Sequence, residues 1–184
     1  MRCNQDGAWE DSYVCVPVTK LKDNVVDLIG DQWMLVTAGD AQSYNTMTAS
    51  WGAMGVVWGK PVAMIMIRES RYTYEFLERE QAFTLSFFDE SYRSALRVCG
   101  TRSGRTSDKV KEAGLTPVQT PSGMMSFGEA RMIIECKSMF QQRMDTEHFT
   151  PAYKEEIERE CYGPSNASRH QLFVSEIVRV WIKK

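Results

Sequence analysis

Small hydroxyl and amide side chains are concentrated in residues 45–52, which read Asn-Thr-Met-Thr-Ala-Ser-Trp-Gly between two apolar stretches. Such side chains are too small to block a flat heterocycle, and they compete weakly for the backbone N–H groups of an extended segment. The segment therefore predicts a surface on which backbone donors meet a planar ring. Taken alone, the same residues also fit a half-buried β-strand whose threonines face solvent.

Basic side chains next to hydroxyl groups occur in three later segments, at residues 68–73, 101–105 and 107–109. Two of these segments immediately precede predicted helices, where free N–H groups and the helix dipole favour an anion. Phosphate is the natural candidate, because guanidinium and ammonium groups form charge-assisted hydrogen bonds to its oxygens. The alternative for each segment is a solvated turn that carries incidental arginines.

The elements that must position these residues are mostly extended. About six strands are predicted from β-forming residues and turn signals, at residues 33–38, 44–58, 62–68, 82–88, 127–143 and 172–182. Helices are predicted at residues 24–29, 72–80, 92–99, 107–114 and 151–161. The segment from 33 to 68 is interpreted as a meander. Because helices fall between some strands rather than after every strand, the pattern favours a mainly β, antiparallel barrel with helical insertions. No Gly-x-Gly-x-x-Gly follows a predicted strand, so a Rossmann dinucleotide site has no support.

Length and composition indicate one ordinary globular domain. The chain has 184 residues, 43% apolar residues, 25% charged residues and a net charge of −2. We expect an N-terminal arm at residues 1–22 and a single domain at residues 23–184. The charge gives no basis for a nucleic-acid partner. The longest apolar stretches, such as residues 62–67, are far shorter than the roughly 20 residues that span a bilayer, so no membrane association is expected.

The cysteines and the N-terminal residues bear on location. The five cysteines are odd in number, widely separated and free of C-x-x-C spacing, which argues against a disulfide framework and a zinc site. Cys136, in a strand-like run, is expected to be a small buried residue rather than a redox group. The acidic start of the chain lacks the apolar core of a signal peptide. A cytoplasmic location is therefore predicted, with no bound metal.

The order of the motifs resembles the flavin reductase-like, FMN-binding split-barrel family, especially its flavoredoxin-like branch, over roughly residues 30–180. The residues that carry the resemblance follow in chain order: Asn45, Met47, Thr48, Ser50, Trp51; Arg68, Ser70, Arg71, Thr73; Ser103, Gly104, Arg105, Asp108, Lys109; Phe127, Glu129, Ala130, Glu135, Cys136, Lys137; and residues 170–177.

This resemblance implies an antiparallel split β-barrel of Greek-key type that binds FMN, with FAD less expected, and uses NAD(P)H as co-substrate. It also implies a homodimer with the flavin near the subunit interface. The residues expected to contact the cofactor are Asn45, Thr46, Met47, Thr48, Ala49, Ser50, Trp51, Arg68, Ser70, Arg71, Thr73, Ser103, Gly104 and Lys109. Among them, Arg68, Arg71 and Lys109 are the candidates for the phosphate, and Trp51 is expected to pack beside the ring.

The chain departs from the family pattern at two places. Many relatives have Gly-Asp-His where this chain has Ser168-Arg169-His170, and Ser175 replaces the common glycine before Glu176. The first departure leaves two interpretations of His170 open: a nicotinamide contact, or a surface or interface histidine. No other residue is assigned a catalytic role, because the cofactor carries the electronic step of hydride transfer.

Three functions remain open at this point. The leading one is an FMN-dependent oxidoreductase that accepts hydride from NADH or NADPH and passes electrons to an unknown acceptor. A second is a non-enzymatic electron-transfer flavoprotein of the flavoredoxin type. A third is a cofactor-free barrel that binds another small ligand or serves as a dimerisation module.

Overall fold

The computed structural model describes residue 9, residues 11–163 and residues 168–184. Within those residues the chain forms ten strands: β1 (Tyr13–Val16), β2 (Met34–Gly39), β3 (Tyr44–Ala49), β4 (Gly52–Val57), β5 (Lys60–Arg68), β6 (Ala82–Phe87), β7 (Pro117–Gln119), β8 (Met125–Phe127), β9 (Met132–Arg143) and β10 (His170–Lys183). Four α-helices lie between strands: α1 (Tyr72–Glu80), α2 (Arg93–Thr101), α3 (Lys109–Glu112) and α4 (Pro151–Cys161). Short 3-10 turns occupy Val18–Lys20, Glu90–Tyr92 and Thr146–His148, and a π-helical turn occupies Asp27–Asp31.

Every pairing in the main sheet is antiparallel. The strand order is β3-β2-β6-β9-β10-β5-β4, and β1 pairs with the second half of β10. The two terminal strands of this order, β3 and β4, are consecutive in the chain and are joined by Ser50 and Trp51. Since β3 also contacts β5 across that seam, the sheet curls into an open barrel. The predicted fold class, an antiparallel split barrel with helical insertions, is confirmed.

The middle strands of the sheet are buried on both faces. Successive residues of a strand point to opposite faces, and Val36 and Ile134 accordingly pack into the barrel interior while Leu35 and Ile133 pack under α2. All four side chains are completely buried. Burying each such side chain stabilises the fold by roughly 1.5 to 3 kcal/mol, which explains why β2, β6 and the first half of β9 are rich in apolar residues on both faces.

The prediction of one strand at residues 44–58, and with it the meander over residues 33–68, is wrong. Those residues form two strands, β3 and β4, which lie at opposite ends of the sheet order instead of pairing with each other. The chain breaks at Ser50 and Trp51, which lie outside both strands. Local β-propensity identifies extended backbone but not its partner, because pairing depends on strands distant in sequence. The break places the barrel seam beside the segment that was predicted to receive a ring.

The stretch predicted as one strand at residues 127–143 also needs correction. Its first residue belongs to β8, which forms a separate hairpin with β7, and β9 begins only at Met132. The hairpin is held to β6 by side chains: Thr84 donates to the carbonyl of Met125 at 2.6 Å, and the hydroxyls of Ser86 and Ser126 lie 2.8 Å apart. These contacts are long-range, so no local pattern indicates them.

The helix predictions differ in accuracy. Helix α1 has the predicted bounds at both ends, whereas α2 continues through Gly100 to Thr101. Helix α3 is shorter than the predicted 107–114, and Asp108 caps it, since its carboxylate accepts a hydrogen bond from the backbone N–H of Lys111. Helix α4 begins at Pro151 as predicted; Pro164, which was predicted to follow its end, lies outside the described residues.

The prediction that argued against disulfides needs one correction, because Cys15 is disulfide-bonded. Cys99, Cys136 and Cys161 are free thiols. Cys136 is completely buried in β9, as expected for a small core residue, and burial raises the pKa of its thiol. Burial likewise raises the pKa of Cys99 to about 11, against the opposing effect of Lys109. Neither buried thiol has the low pKa of a reactive cysteine.

Candidate functional site

A cavity of about 240 Å³ opens between the turn that follows β5 and the loop that follows α2. Its lining contains Met47, Arg68, Ser70, Arg71, Tyr72, Thr73, Thr101, Arg102, Ser103, Gly104, Arg105 and Lys109. Helix α1 begins here, and its N-cap residue, Arg71, makes no side-chain capping hydrogen bond. The first turn of this nine-residue helix therefore borders the cavity, which we call the anion end of the site.

Lys109 is the most unusual group at the anion end. Its side chain is buried, and its ammonium group lies 3.4 Å from each of two backbone carbonyls, those of Cys99 and Arg102. Among the described residues, no carboxylate lies within 4.0 Å of it. Burial lowers the pKa of Lys109, Cys99 raises it, and the neighbouring Arg71 lowers it further. A buried cation without a counter-charge is costly, and a bound anion would remove that cost.

The arginines around Lys109 fall into two groups. Arg105 pairs with Glu75 and lies over the ring of Tyr72, with 4.7 Å to the ring centroid. Arg102 pairs with Glu112 at 3.6 Å. By contrast, the guanidinium of Arg71 donates to the carbonyl of Gly100 at 3.1 Å, and no ion pair to a described carboxylate engages it. Arg71 and Lys109 are therefore the cations with the most capacity for an external anion.

Arg68 lines both this cavity and a second one, but its guanidinium is hydrogen-bonded within the protein. It donates to the backbone carbonyl of Ser168 at 2.8 Å and to that of Cys161 at 2.6 Å. It also lies over the Tyr162 ring, with 5.2 Å to the centroid. Arg68 thus ties the end of β5 to the chain on both sides of the connection between α4 and β10.

The second cavity, of about 260 Å³, follows β3 toward the barrel seam and we call it the ring end. Met47, Thr48, Ala49, Ser50, Trp51, Met66, Arg68, Arg71 and His170 line it. Because the two cavities share Met47, Arg68 and Arg71, they form one crevice. Strand β3 ends the sheet order, so every second residue directs its N–H and C=O groups away from β2.

The polar side chains of β3 are used within the fold. Asn45 donates to the hydroxyl of Thr73 at 2.7 Å, and the Thr46 hydroxyl lies 2.8 Å from that of Thr37. Thr48 donates to the carbonyl of Leu96. Thr46 is completely buried, so the alternative of threonines facing solvent is wrong for that residue. What β3 offers a ligand is backbone, together with Met47 and Ala49.

Glycine is required at position 104 because the backbone there passes close to β3. A Cβ atom at this position would lie 2.1 Å from the Asn45 amide oxygen and 3.3 Å from the Tyr72 ring. Only glycine lets the loop after α2 pack against Asn45 without displacing either side chain. This contact holds the loop that carries Ser103 against the start of α1, which closes the wall of the anion end.

His170 occupies the ring end as a buried, neutral residue. Its ring packs on Trp51, with 4.6 Å between centroids, and its Nδ1 atom lies 2.8 Å from the Tyr162 hydroxyl. Burial lowers the pKa of His170 to about 4, and the positive charges of Arg68 and Arg71 act in the same direction. Trp51 is 43% exposed and covers one side of the imidazole. Of the two parts of the alternative interpretation, a surface histidine is therefore wrong for this chain, and an interface histidine stays a prediction, as does the nicotinamide contact.

Comparison with known proteins identifies the family. The model described as Flavin reductase like domain matches residues 27–184. This chain belongs to the flavin reductase-like family. Among curated proteins, no match is found.

Solved structures of similar fold include flavoredoxin of Desulfovibrio vulgaris (Miyazaki F), with 26% identity, a TM-score of 0.61, and coverage of 82% of this chain and 68% of that one. An FMN-binding domain of a flavin reductases-like enzyme from Shewanella baltica OS155 has 16% identity, a TM-score of 0.64 and coverage of 92% and 76%. An NADH:FAD oxidoreductase from Streptomyces globisporus C-1027 has 16% identity, a TM-score of 0.58 and coverage of 83% and 78%. The last two show the fold alone.

In this flavin reductase-like chain, most of the predicted cofactor residues meet in the crevice. The predicted residues that line it are Met47, Thr48, Ala49, Ser50, Trp51, Arg68, Ser70, Arg71, Thr73, Ser103, Gly104, Lys109 and His170. Asn45 lines an adjoining cleft, and the Thr46 side chain points into the protein. Their role in binding stays a prediction.

The residue that sequence reasoning missed is Tyr162. It comes directly after α4 and eight residues before His170, outside the recognised motifs, and no local pattern marks it as functional. Only its position reveals it: the side chain is buried, lies within 5.2 Å of the guanidinium carbons of Arg68 and Arg169, and contacts His170. The second departure from the family pattern, Ser175, is completely buried in β10, and its hydroxyl finds no partner among the described residues.

Two further observations concern location and metals. Within the described ranges, no helix combines the length and apolar character needed to cross a bilayer. The same residues contain no group of three or more side chains arranged to hold a metal ion. The predictions of a cytoplasmic location and of a metal-free protein stay predictions.

Proposed function

We propose that this chain binds FMN in the crevice and acts as an oxidoreductase that takes hydride from NADH or NADPH and delivers electrons to an acceptor. The observation that carries the proposal is Lys109, a buried cation next to Arg71 at the start of α1. The crevice continues from these cations along β3 to the seam. A ligand with a phosphate at one end and a flat ring at the other matches that arrangement.

Different residues contact the phosphate and the ring in this proposal. Lys109, Arg71 and the first N–H groups of α1 hold the phosphate through charge-assisted hydrogen bonds. The outward-facing N–H groups of β3 support the negative charge that a reduced ring develops, as donors of an oxyanion hole do. When bound, FMN supplies the hydride-accepting ring, and the protein supplies orientation and electrostatics.

FMN fits the anion end better than FAD does. The cations of the anion end gather around Lys109 and Arg71, and the adjoining cleft beyond Lys109 is lined by Asp108 and Tyr44. A carboxylate at that position would repel a second phosphate. We therefore infer that the mononucleotide is preferred.

An electron-transfer flavoprotein without nicotinamide chemistry is the second candidate. The specific observation that favours it is the packing of Trp51 on His170, which covers one face of that imidazole at the ring end. In this case FMN binds but NADH reduces it slowly.

We also propose that the protein is a cytoplasmic homodimer with the flavin close to the subunit interface. An apolar cleft of about 640 Å³ adjoins the ring end and is lined by residues that include Val26, Met54 and Met144. On and after the terminal strand β4, Val56 and Trp58 are 74% and 65% exposed. Such a surface is typical of a site that another subunit covers. Sedimentation velocity of the purified protein measures the assembly.

The proposed function is tested by binding and reduction in sequence. Titration of flavin-free protein with FMN, FAD and riboflavin should give the tightest binding for FMN, and weaker binding for riboflavin because it lacks the phosphate. Stopped-flow mixing of the FMN complex with NADH and NADPH under anaerobic conditions then measures loss of flavin absorbance. Rapid loss supports the oxidoreductase, and slow loss with tight FMN binding supports the electron carrier. Equal affinity for FMN and riboflavin would refute the assignment of the anion end.

A further inference from the structure

The pair formed by Tyr162 and His170 links α4 to the ring end of the crevice. The hydroxyl of Tyr162 lies 2.8 Å from Nδ1 of His170, and both side chains are buried. His170 lines the ring-end cavity, whereas Tyr162 does not. The imidazole therefore turns one nitrogen toward the protein, and its other nitrogen, Nε2, has no hydrogen-bond partner among the described residues.

A neutral imidazole carries one N–H, so the Tyr162 contact decides which nitrogen bears it. Either the phenol donates to Nδ1 and the proton resides on Nε2, or Nδ1–H donates to the phenol oxygen. The second arrangement leaves the phenol proton without an acceptor among the described residues, in a side chain that is only 8% exposed. Since an unsatisfied buried donor is costly, the first arrangement is favoured.

The charges around the phenol favour the same arrangement. The guanidinium carbons of Arg169 and Arg68 lie 4.5 Å and 5.2 Å from the Tyr162 ring centroid. Positive charge near a phenol makes its O–H a stronger donor and its oxygen a weaker acceptor. Burial raises the pKa of Tyr162, whereas the backbone of His170 and the charges of Arg68 and Arg169 act in the opposite direction. The two guanidinium groups therefore favour the phenol as the donor in its contact with Nδ1.

We propose that Tyr162 is a positioning residue that holds His170 as the neutral Nε2–H tautomer, so that the imidazole presents a hydrogen-bond donor to the ring end of the crevice. This use of the donor rests on the proposed function, because that function places a ring there. The matching ligand feature is an acceptor oxygen or nitrogen on the bound ring or its reaction partner. Arg68 supports the arrangement by tying Cys161 and Ser168 in place around Tyr162.

The tautomer is measured directly by NMR of flavin-free protein labelled with ¹⁵N at histidine. The chain has only two histidines, and the exposed His148 gives a second set of signals for comparison. At neutral pH, long-range ¹H–¹⁵N correlations should show a protonated Nε2 and an unprotonated Nδ1 for His170. A protonated Nδ1 in the native protein would overturn the proposal without reference to any cofactor.

The variant Tyr162→Phe removes the hydroxyl and keeps the ring between the two arginines. We expect the His170 signals to change to a mixture of tautomers or to the Nδ1–H form. The matched control is Tyr153→Phe, because Tyr153 lies on α4 and is 61% exposed; its His170 signals should equal those of the native protein. Unchanged His170 signals in Tyr162→Phe would also overturn the proposal.

The functional consequence is measured on the FMN complex. Loss of one oriented hydrogen bond should lower the rate constant of flavin reduction by NADH about tenfold in Tyr162→Phe, while the dissociation constant for FMN stays unchanged. Tyr153→Phe should match the native protein in both quantities. If the native protein fails to bind FMN, the proposed function fails, but the NMR measurement still decides the role of Tyr162.

Discussion

The anion end and the ring end of the crevice each contain a buried titratable side chain, and the two are built in opposite ways. At the anion end, Lys109 lies beside Arg71 and lacks a carboxylate partner among the described residues. At the ring end, His170 is hydrogen-bonded and stacked, with its pKa lowered to about 4. Burial is the largest cause of the lowered pKa in both cases. The ordinary pKa, however, is 10.5 for a lysine and 6.5 for a histidine.

Because of this difference, the anion end is suited to binding a ligand and the ring end is suited to the chemistry. The anion end keeps a charge whose cost in the free protein is recovered when a phosphate binds, so it is suited to hold a ligand. The ring end keeps a neutral donor with a fixed orientation, which is suited to act on a ring without exchanging protons with solvent. Arg68 lines both ends, and the hydrogen bonds of its guanidinium hold the chain around Tyr162.

Among the predicted changes, removal of the buried charge of Lys109 should have the largest effect on FMN binding. We expect Lys109→Met to weaken FMN binding about ten- to a hundredfold, because a charge-assisted hydrogen bond contributes roughly 1.5 to 3 kcal/mol. Riboflavin affinity should not change, and the flavin-free protein should melt at a higher temperature since a buried cation is gone.

The control for this variant is Lys111→Met, which removes an exposed charge from the same helix, α3. It should leave FMN affinity within about twofold of native. Titration with both flavins gives the answer. An equal loss for FMN and riboflavin in Lys109→Met would place the lysine away from the phosphate.

The second prediction separates two arginines that look alike in sequence. Arg68→Ala should lower the free energy of unfolding by about 2 kcal/mol, because it removes two hydrogen bonds from a charged group to backbone carbonyls. Arg71→Ala should lower that free energy by less than about 1 kcal/mol and weaken FMN binding more than Arg68→Ala does.

Urea unfolding and FMN titration of both variants measure the two quantities. The reverse order, with Arg71 needed for stability and Arg68 for affinity, would show that the assignment of the two arginines is wrong.

The third prediction concerns pH. The folded pKa of His170, about 4, lies below its unfolded value of 6.5, so the unfolded chain binds this proton first as pH falls. The resulting loss of stability begins near the unfolded value and is complete near the folded one, and it amounts to about 2 kcal/mol between pH 7 and pH 5. The groups that face the imidazole are Arg68, Arg71 and Tyr162.

Urea unfolding at pH 7 and pH 5 tests this prediction against His170→Gln. The variant should lose about 2 kcal/mol less stability than the native protein over the same interval. Equal losses in the two proteins would mean that the imidazole is not held neutral.

The smallest expected effect comes from Trp51. Because it is half exposed and packs on His170, Trp51→Ala should weaken FMN binding only about threefold. It should also raise the pKa of His170 toward the ordinary value, since it removes part of the cover over the imidazole. Titration of the histidine NMR signals against pH measures this change. A larger loss of FMN affinity than in Lys109→Met would show that ring stacking, not charge, controls binding.

Much of this fold could be predicted from local patterns. Helix α1 was predicted at its observed bounds because the helical period and the Glu-rich outer face lie within one short segment. The strands β2 and β6 were predicted within a residue of their observed bounds, because β-forming residues and a neighbouring turn signal lie in one short segment. Strand partners could not be predicted, because β3 and β4 are neighbours in sequence and opposite ends of the sheet order.

The candidate site shows the same division. The chemical types needed for a phosphate and a ring, and the family resemblance that the motifs carry, were present in the sequence by itself. Which cation is paired was decided only by the tertiary structure, since the partners of Arg68 lie 93 and 100 residues away along the chain. The same holds for Tyr162, which has functional meaning only where α4 brings it against His170. Charge and hydroxyl groups are properties of residues, but burial and pairing are properties of the packed chain, and these decide what each group can do.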